Sequence, residues 1–136
     1  MIGLDTNVLL RWLMHDAPSG GDAPHQVDLI ETLVVNADEG IFINRIVVGE
    51  TAWVLRRWVH IATNALVVIA ARLLNLANII FQKRDMLLAA LASYDRYPAD
   101  FSDQSIGTIN KHNGCRTTLT FDRAAARSLQ FSELQR

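Results

Sequence analysis

Short apolar runs rich in β-formers alternate along this chain with stretches of helical spacing, and that alternation constrains the fold more than any other feature. MIGLD reads as a first strand and Asn7 to about Met14 as a helix. HDAPSGGDAP is a loop by its prolines and glycines. A helix from His25 to Ala37, with Val27, Ile30, Leu33 and Val34 on one face, leads to a strand at Gly40–Asn44. Helices are expected over Ile46–Trp58 and Thr63–Leu76, then a strand at Asn78–Phe81 and a helix over Arg84–Tyr94. After the loop RYPAD, a helix from Phe101 to His112 stops at Asn113-Gly114, a good C-terminal signal. Thr117–Phe121 is the fourth strand, Asp122 opens a short helix, and Phe131 with Leu134 marks a last edge strand.

Strands separated by helices predict an α/β fold: a three-layer α/β/α sandwich around a central parallel sheet of four to five strands. At 136 residues, with no repeat or linker, the whole chain is expected to form one domain with a real core. In such sheets, ligands gather in the crevice beyond the carboxyl ends of the strands. That rule directs attention to residues that end strands.

Half the residues are hydrophobic and a fifth are charged, which excludes a disordered chain. The net charge of -1 excludes a strongly basic overall field. The run from Trp58 to Phe81 is interrupted by Asn64, Arg72, Asn75 and Asn78, short of the roughly 18 apolar residues a membrane span needs. Asp5 breaks the N-terminus before an apolar signal segment can form. Cys115 is the only cysteine, so neither an internal disulfide nor a cysteine zinc site is possible. A reducing, cytoplasmic setting fits, and Cys115 is expected as a small buried side chain entering a strand.

Four acidic residues stand where the crevice should be. Asp5 follows the first strand and Asp122 the fourth, and each is equally placed to cap the helix that follows. Glu50 has Ile46, Val47, Trp53 and Val54 at helical neighbour positions, so it is expected on an apolar face. Burial there calls for a cationic partner, with Arg45 and Arg57 the candidates, or for a metal. Asp103 lies in the first turn of its helix, where the dipole favours a carboxylate, and Asp100 upstream is a cap or an accessory ligand.

Four carboxylates converging on one crevice repel one another unless a divalent cation neutralises them. Oxygen-only ligands favour Mg2+ or Mn2+ over zinc, and such sites activate water for displacement at phosphorus. Thr6, Asn7 and Thr120 are placed to orient the carboxylates. Setting the four acids aside leaves 13 basic against 10 acidic residues, a net of +3. Arg11, Arg45, Arg123 and Arg127 near the rim are candidate phosphate contacts. Arg56, Arg72, Lys83 and Arg84 read as solvated surface.

IGLDTNVLLRWL, VVGETAWVLRR, ADFSDQSIGTINKHNGC and LTFDRAAA together resemble the ordered signature blocks of PIN-domain nucleases, nearest to the VapC-type toxins of toxin–antitoxin pairs. The likeness runs from Met1 to about Ala126. It implies a PIN-like fold and places the family's acidic quartet on Asp5, Glu50, Asp103 and Asp122, with Asp100 as the frequent acidic neighbour. Thr6 and Thr120 match hydroxyl positions near the metal, and Asn7 a supporting polar residue. The resemblance further implies a Mg2+- or Mn2+-dependent endoribonuclease. It also implies a homodimer, or a higher oligomer with a small antitoxin whose C-terminal segment lies across the site. Gln104 and Thr108 depart from the pattern, standing where small apolar residues are more usual.

Three other readings compete for the same residues. A receiver-like signalling domain needs a lysine after the last strand, and the only lysines are Lys83 and Lys111. A catalytically silent metal-, RNA- or partner-binding module keeps the same residues without turnover. A nuclease acting on DNA is the third, since nothing here marks a reader of the 2′-hydroxyl. His15, His25, His60 and His112 have no ligand spacing, and Ser102 and Ser105 no paired base. Trp53, Trp58 and Leu55 are expected in the core or on a dimer face.

Overall fold

The structure, a computed structural model, describes residues 1–14, 28–32 and 38–134. Strand β1 (Ile2–Gly3) leads into helix α1 (Thr6–Leu13), and β2 (Ile41–Ile43) into α2 (Arg45–Arg57). Helix α3 (Thr63–Leu74) precedes β3 (Ile79–Phe81), followed by α4 (Arg84–Arg96) and α5 (Phe101–His112). Strand β4 (Thr118–Thr120), helix α6 (Arg123–Ala126) and strand β5 (Phe131–Glu133) complete the order. Residues 28–32 are helical, within the helix expected there. The loop at 15–24 and three of the four apolar positions expected on that helix, Val27, Leu33 and Val34, lie outside the described residues.

Strands β1, β2 and β3 form a parallel sheet in that order, with Ile2 opposite Ile41 and Ile41 opposite Ile79. Helices flank it, as alternation requires. Ile41 and Ile43 are fully buried at its centre, joined by Leu9, Val47, Leu55, Ile79 and Phe81. A β-branched pair with both neighbours paired is what a central parallel strand needs.

The expected single sheet of four to five strands is corrected here. All five strands are present and parallel, but β4 and β5 form a sheet of their own, with Thr118 opposite Phe131. The reason lies in strand length. β1 is only two residues long because Asp5 turns the chain into α1, so the sheet edge offers little backbone for β4 to pair with. Leu119 of β4 is exposed, so no apolar face pulls that strand into the main core.

Several local expectations hold. Asp5 caps α1 through a bond from the Val8 amide to its Oδ1 at 3.0 Å. Asn113 ends α5 and Gly114 takes the left-handed conformation, φ 90°, that a glycine adopts without strain. The last edge strand is real. Asn44, expected to end a strand, instead caps α2 by accepting from the Val47 amide at 2.9 Å. Cys115 is exposed rather than buried, because it sits in the turn before β4 and not inside the strand. Leu55 is in the core, whereas Trp53 and Trp58 stand on the surface, ring edge to ring face at 6.5 Å. One apolar face of α2 is already filled by Val47, Ala52 and Leu55, which leaves no room inward for two indoles.

Candidate metal centre

Two elements set the first half of the site. The Asp5 cap spends one carboxylate oxygen on the start of α1 and holds the group at the carboxyl end of β1. The next residue, Thr6, donates its hydroxyl to Glu50 Oε2 at 2.9 Å, joining α1 to α2 across 44 residues of chain. Glu50 is not buried, contrary to expectation: it is exposed, beside Ile46 at 68% and Trp53 at 47% exposure. Of its helical neighbours, Val47 turns into the core and Val54 is half-buried, while Ile46 and Trp53 stand outside with Glu50. Neither Arg45 nor Arg57 is its partner. Arg57 instead meets Asp100 at 3.1 Å, while Arg45 lines a cleft with Ile46, Gln82 and Lys83.

The second half is built around Asp103. It occupies the third position of α5, and its carboxylate takes a hydrogen bond from the Asp100 backbone, half of a capping box. Partial burial raises its pKa above the ordinary carboxylate value, and the charges of Asp122 and Asp100 raise it further. The hydrogen bond and the Arg57 guanidinium pull the other way without cancelling them. Asp122 itself caps α6, accepting from the Ala124 amide at 2.8 Å and the Ala125 amide at 3.4 Å. Thr120 Oγ1 accepts from the Asp122 amide at 3.0 Å, which fixes the backbone on which that carboxylate sits.

Thr6 thus reaches a candidate carboxylate directly, whereas Thr120 reaches only the backbone amide of Asp122. Asn7 is exposed in the first turn of α1. Arg11 lies in the last turn of α1, Arg123 opens α6, 3.9 Å from Glu133, and Arg127 ends α6; all three are exposed.

Of the four candidate acids, Glu50 borders an open depression. Gly49, Glu50, Trp53 and Val54 of α2 line an open depression with Ser102, the neighbour of Asp103 on α5. Among the described residues, no three carboxylate, histidine or cysteine groups stand close enough to grip one ion. Thr6, next to Asp5, bonds Glu50, and Asp103 feels the charges of Asp122 and Asp100. The chemistry of the four acids fits a hard divalent cation. The donors are all carboxylate oxygens, and the like charges pressing on Asp103 are what such a cation would relieve.

The PIN domain family model matches residues 2–128 of the chain. The chain belongs to the PIN domain family. PIN domains are generally metal-dependent nucleases, typically with divalent ions such as Mg2+, and the α/β architecture agrees with that assignment. No curated protein matches the chain significantly. Among the described residues, no helix is long and apolar enough to cross a membrane.

Three features of the site escaped sequence reasoning. The Arg57–Asp100 pair was missed because Glu50 was assumed to be buried and in need of that arginine. The depression shared by Trp53 and Ser102 depends on how α2 meets α5, which no local pattern encodes. The buried bond from Gln104 to Ser128 left one trace in the sequence, the unusual amide after Asp103.

Proposed function

We propose that this chain is a Mg2+- or Mn2+-dependent endoribonuclease of the PIN family, the toxin of a toxin–antitoxin pair. The observation that carries the metal-site part of the reading is the setting of Asp103, whose pKa is raised first by partial burial and then by the charges of Asp122 and Asp100. Asp5, Glu50, Asp103 and Asp122 would hold the ion, with Asp100 as an accessory group. When bound, a divalent ion supplies an activated water and neutralises charge at the phosphodiester. Thr6 orients Glu50, and Thr120 steadies the Asp122 backbone. One carboxylate of the four would relay a proton at the site. Asn7 supports the polar rim. Arg11, Arg45, Arg123 and Arg127 would contact RNA phosphates.

The toxin assignment, the RNA substrate, the homodimer and the small antitoxin rest on the resemblance of the four signature blocks to VapC-type toxins. So does the reading of residues 1–136 as one nuclease domain working in the cytoplasm. A second reading, a silent binding module, is favoured by the spacing of the acids, which do not converge in threes among the described residues.

Cleavage of a mixed cellular RNA pool by refolded protein, with Mg2+, Mn2+ or EDTA, separates the two readings. Discrete metal-dependent fragments, absent with Asp5→Asn, support the nuclease. Saturable Mn2+ binding without cleavage supports the silent module. Cleavage of a matched single-stranded DNA but not RNA would move the substrate class.

A further inference from the structure

The segment carrying Asp122 is held to the molecule in an unusual way. Strands β4 and β5 share no ladder with the three-stranded sheet, and outside their own unit the main element they touch is α5. Helix α5 is itself anchored on α4 and α2 and carries Asp103. The relative position of Asp103 and Asp122 is therefore set at the seam between α5 and the β4–α6–β5 unit.

That seam is polar. Gln104 Nε2 donates to Ser128 Oγ at 2.8 Å, with Gln104 at 0% and Ser128 at 2% exposure. One turn on, Thr108 Oγ1 reaches Gln130 Oε1 at 3.5 Å, and Asn110 Nδ2 donates to Thr118 Oγ1 at 3.0 Å. Gly107 lies between them, where an added Cβ would stand 2.6 Å from the Phe131 ring. The apolar cluster in this unit is small: Ala99, Ala125 and Phe131. Gln104 Oε1 is buried and unpaired among the described residues. A buried amide with one unmet oxygen is a poor choice for stability, since an apolar side chain of that size carries no such penalty. What the amide adds is direction: a hydrogen bond fixes two elements at one distance and angle, which apolar contact does not.

We infer that Gln104 and Ser128 are positioning residues, whose mutual hydrogen bond sets the Asp122 carboxylate against Asp103. Gln104 stands next to Asp103 on α5, and Ser128 lies just beyond the C-terminal end of the helix that Asp122 caps. As a statement about ion binding, this rests on the metal-nuclease reading above. The buried pair does not touch the ion or the RNA; it acts through the two aspartates.

The test uses the full chain with Gln104→Met, Ser128→Ala and both together, each measured while fully folded. Removing both polar partners leaves urea stability near that of the parent. Mn2+ affinity falls about tenfold in each single variant, as when an outer-shell partner of a ligand is lost. The double variant loses no more than either single one, and RNA cleavage loses kcat with KM unchanged. Folded variants with parental Mn2+ affinity, or losses that simply multiply, would overturn the inference. If the parent itself neither binds Mn2+ nor cleaves, the metal-nuclease reading fails on its own account. Hydrogen exchange at the Ala124 and Ala125 amides, which hold the Asp122 carboxylate, then decides. Faster exchange there but not in β2 sustains the positioning role, and unchanged exchange removes it.

Discussion

Asp103 is the residue where the acidic cluster bears its cost. Burial and the charges of Asp122 and Asp100 raise its pKa, so the folded protein holds this proton more tightly than the unfolded chain does. Stability from this group is therefore fully present below the ordinary carboxylate pKa and is lost as pH rises through the raised value. In EDTA, Asp103→Asn should raise the urea midpoint at pH 7, and the gain should vanish below about pH 4. Urea titrations at the two pH values check this; equal midpoints at pH 7 would mean the crowding is not felt. Thr6 makes a complementary case. Thr6→Val removes the one hydroxyl directed at Glu50, and because the bond is exposed, stability should shift by less than about 0.5 kcal/mol. Mn2+ affinity, read by isothermal titration, should drop several-fold nonetheless.

Among the elements, the helix starts combine two duties. Asp5 and Asp122 both cap helices and both belong to the candidate site. Asparagine caps about as well as aspartate, so Asp122→Asn should keep the fold while weakening metal binding. Asp122→Ala should lose both, with stability lower by about 1 kcal/mol. Comparing the two variants by urea melts and Mn2+ titration separates capping from ligation. At the α5 seam, Gly107→Ala should destabilise by about 1–3 kcal/mol, since its Cβ meets the buried Phe131 ring. A thermal melt unchanged by this substitution would show that β5 gives way freely.

For the molecule as a whole, what was legible in the sequence was local or periodic. Strand–helix alternation, the Asp5 cap, the Gly114 stop and the strand that carries Ile41 and Ile43 follow from patterns within a few residues. The candidate carboxylates also rest on local signals: Asp5, Asp103 and Asp122 stand at strand ends or helix starts, and Glu50 lies among apolar neighbours within α2. What was not legible depends on pairing across the chain. The split of five strands into two sheets follows from a first strand cut short at Gly3. The outward face of Glu50 and Trp53 follows from which side of α2 the core occupies. The Gln104–Ser128 bond joins residues 24 apart, and no spacing rule links them. Two pairs of acids, Asp5 with Glu50 and Asp103 with Asp122, are proposed to act as one divalent-ion site. Mn2+ titration of the full chain beside Asp5→Asn and Asp103→Asn tests it most directly, because each variant removes a charge from a different pair. Saturable binding by the parent is expected, weakened at least about tenfold in both variants. Parental affinity in either one would mean that the two pairs do not share an ion.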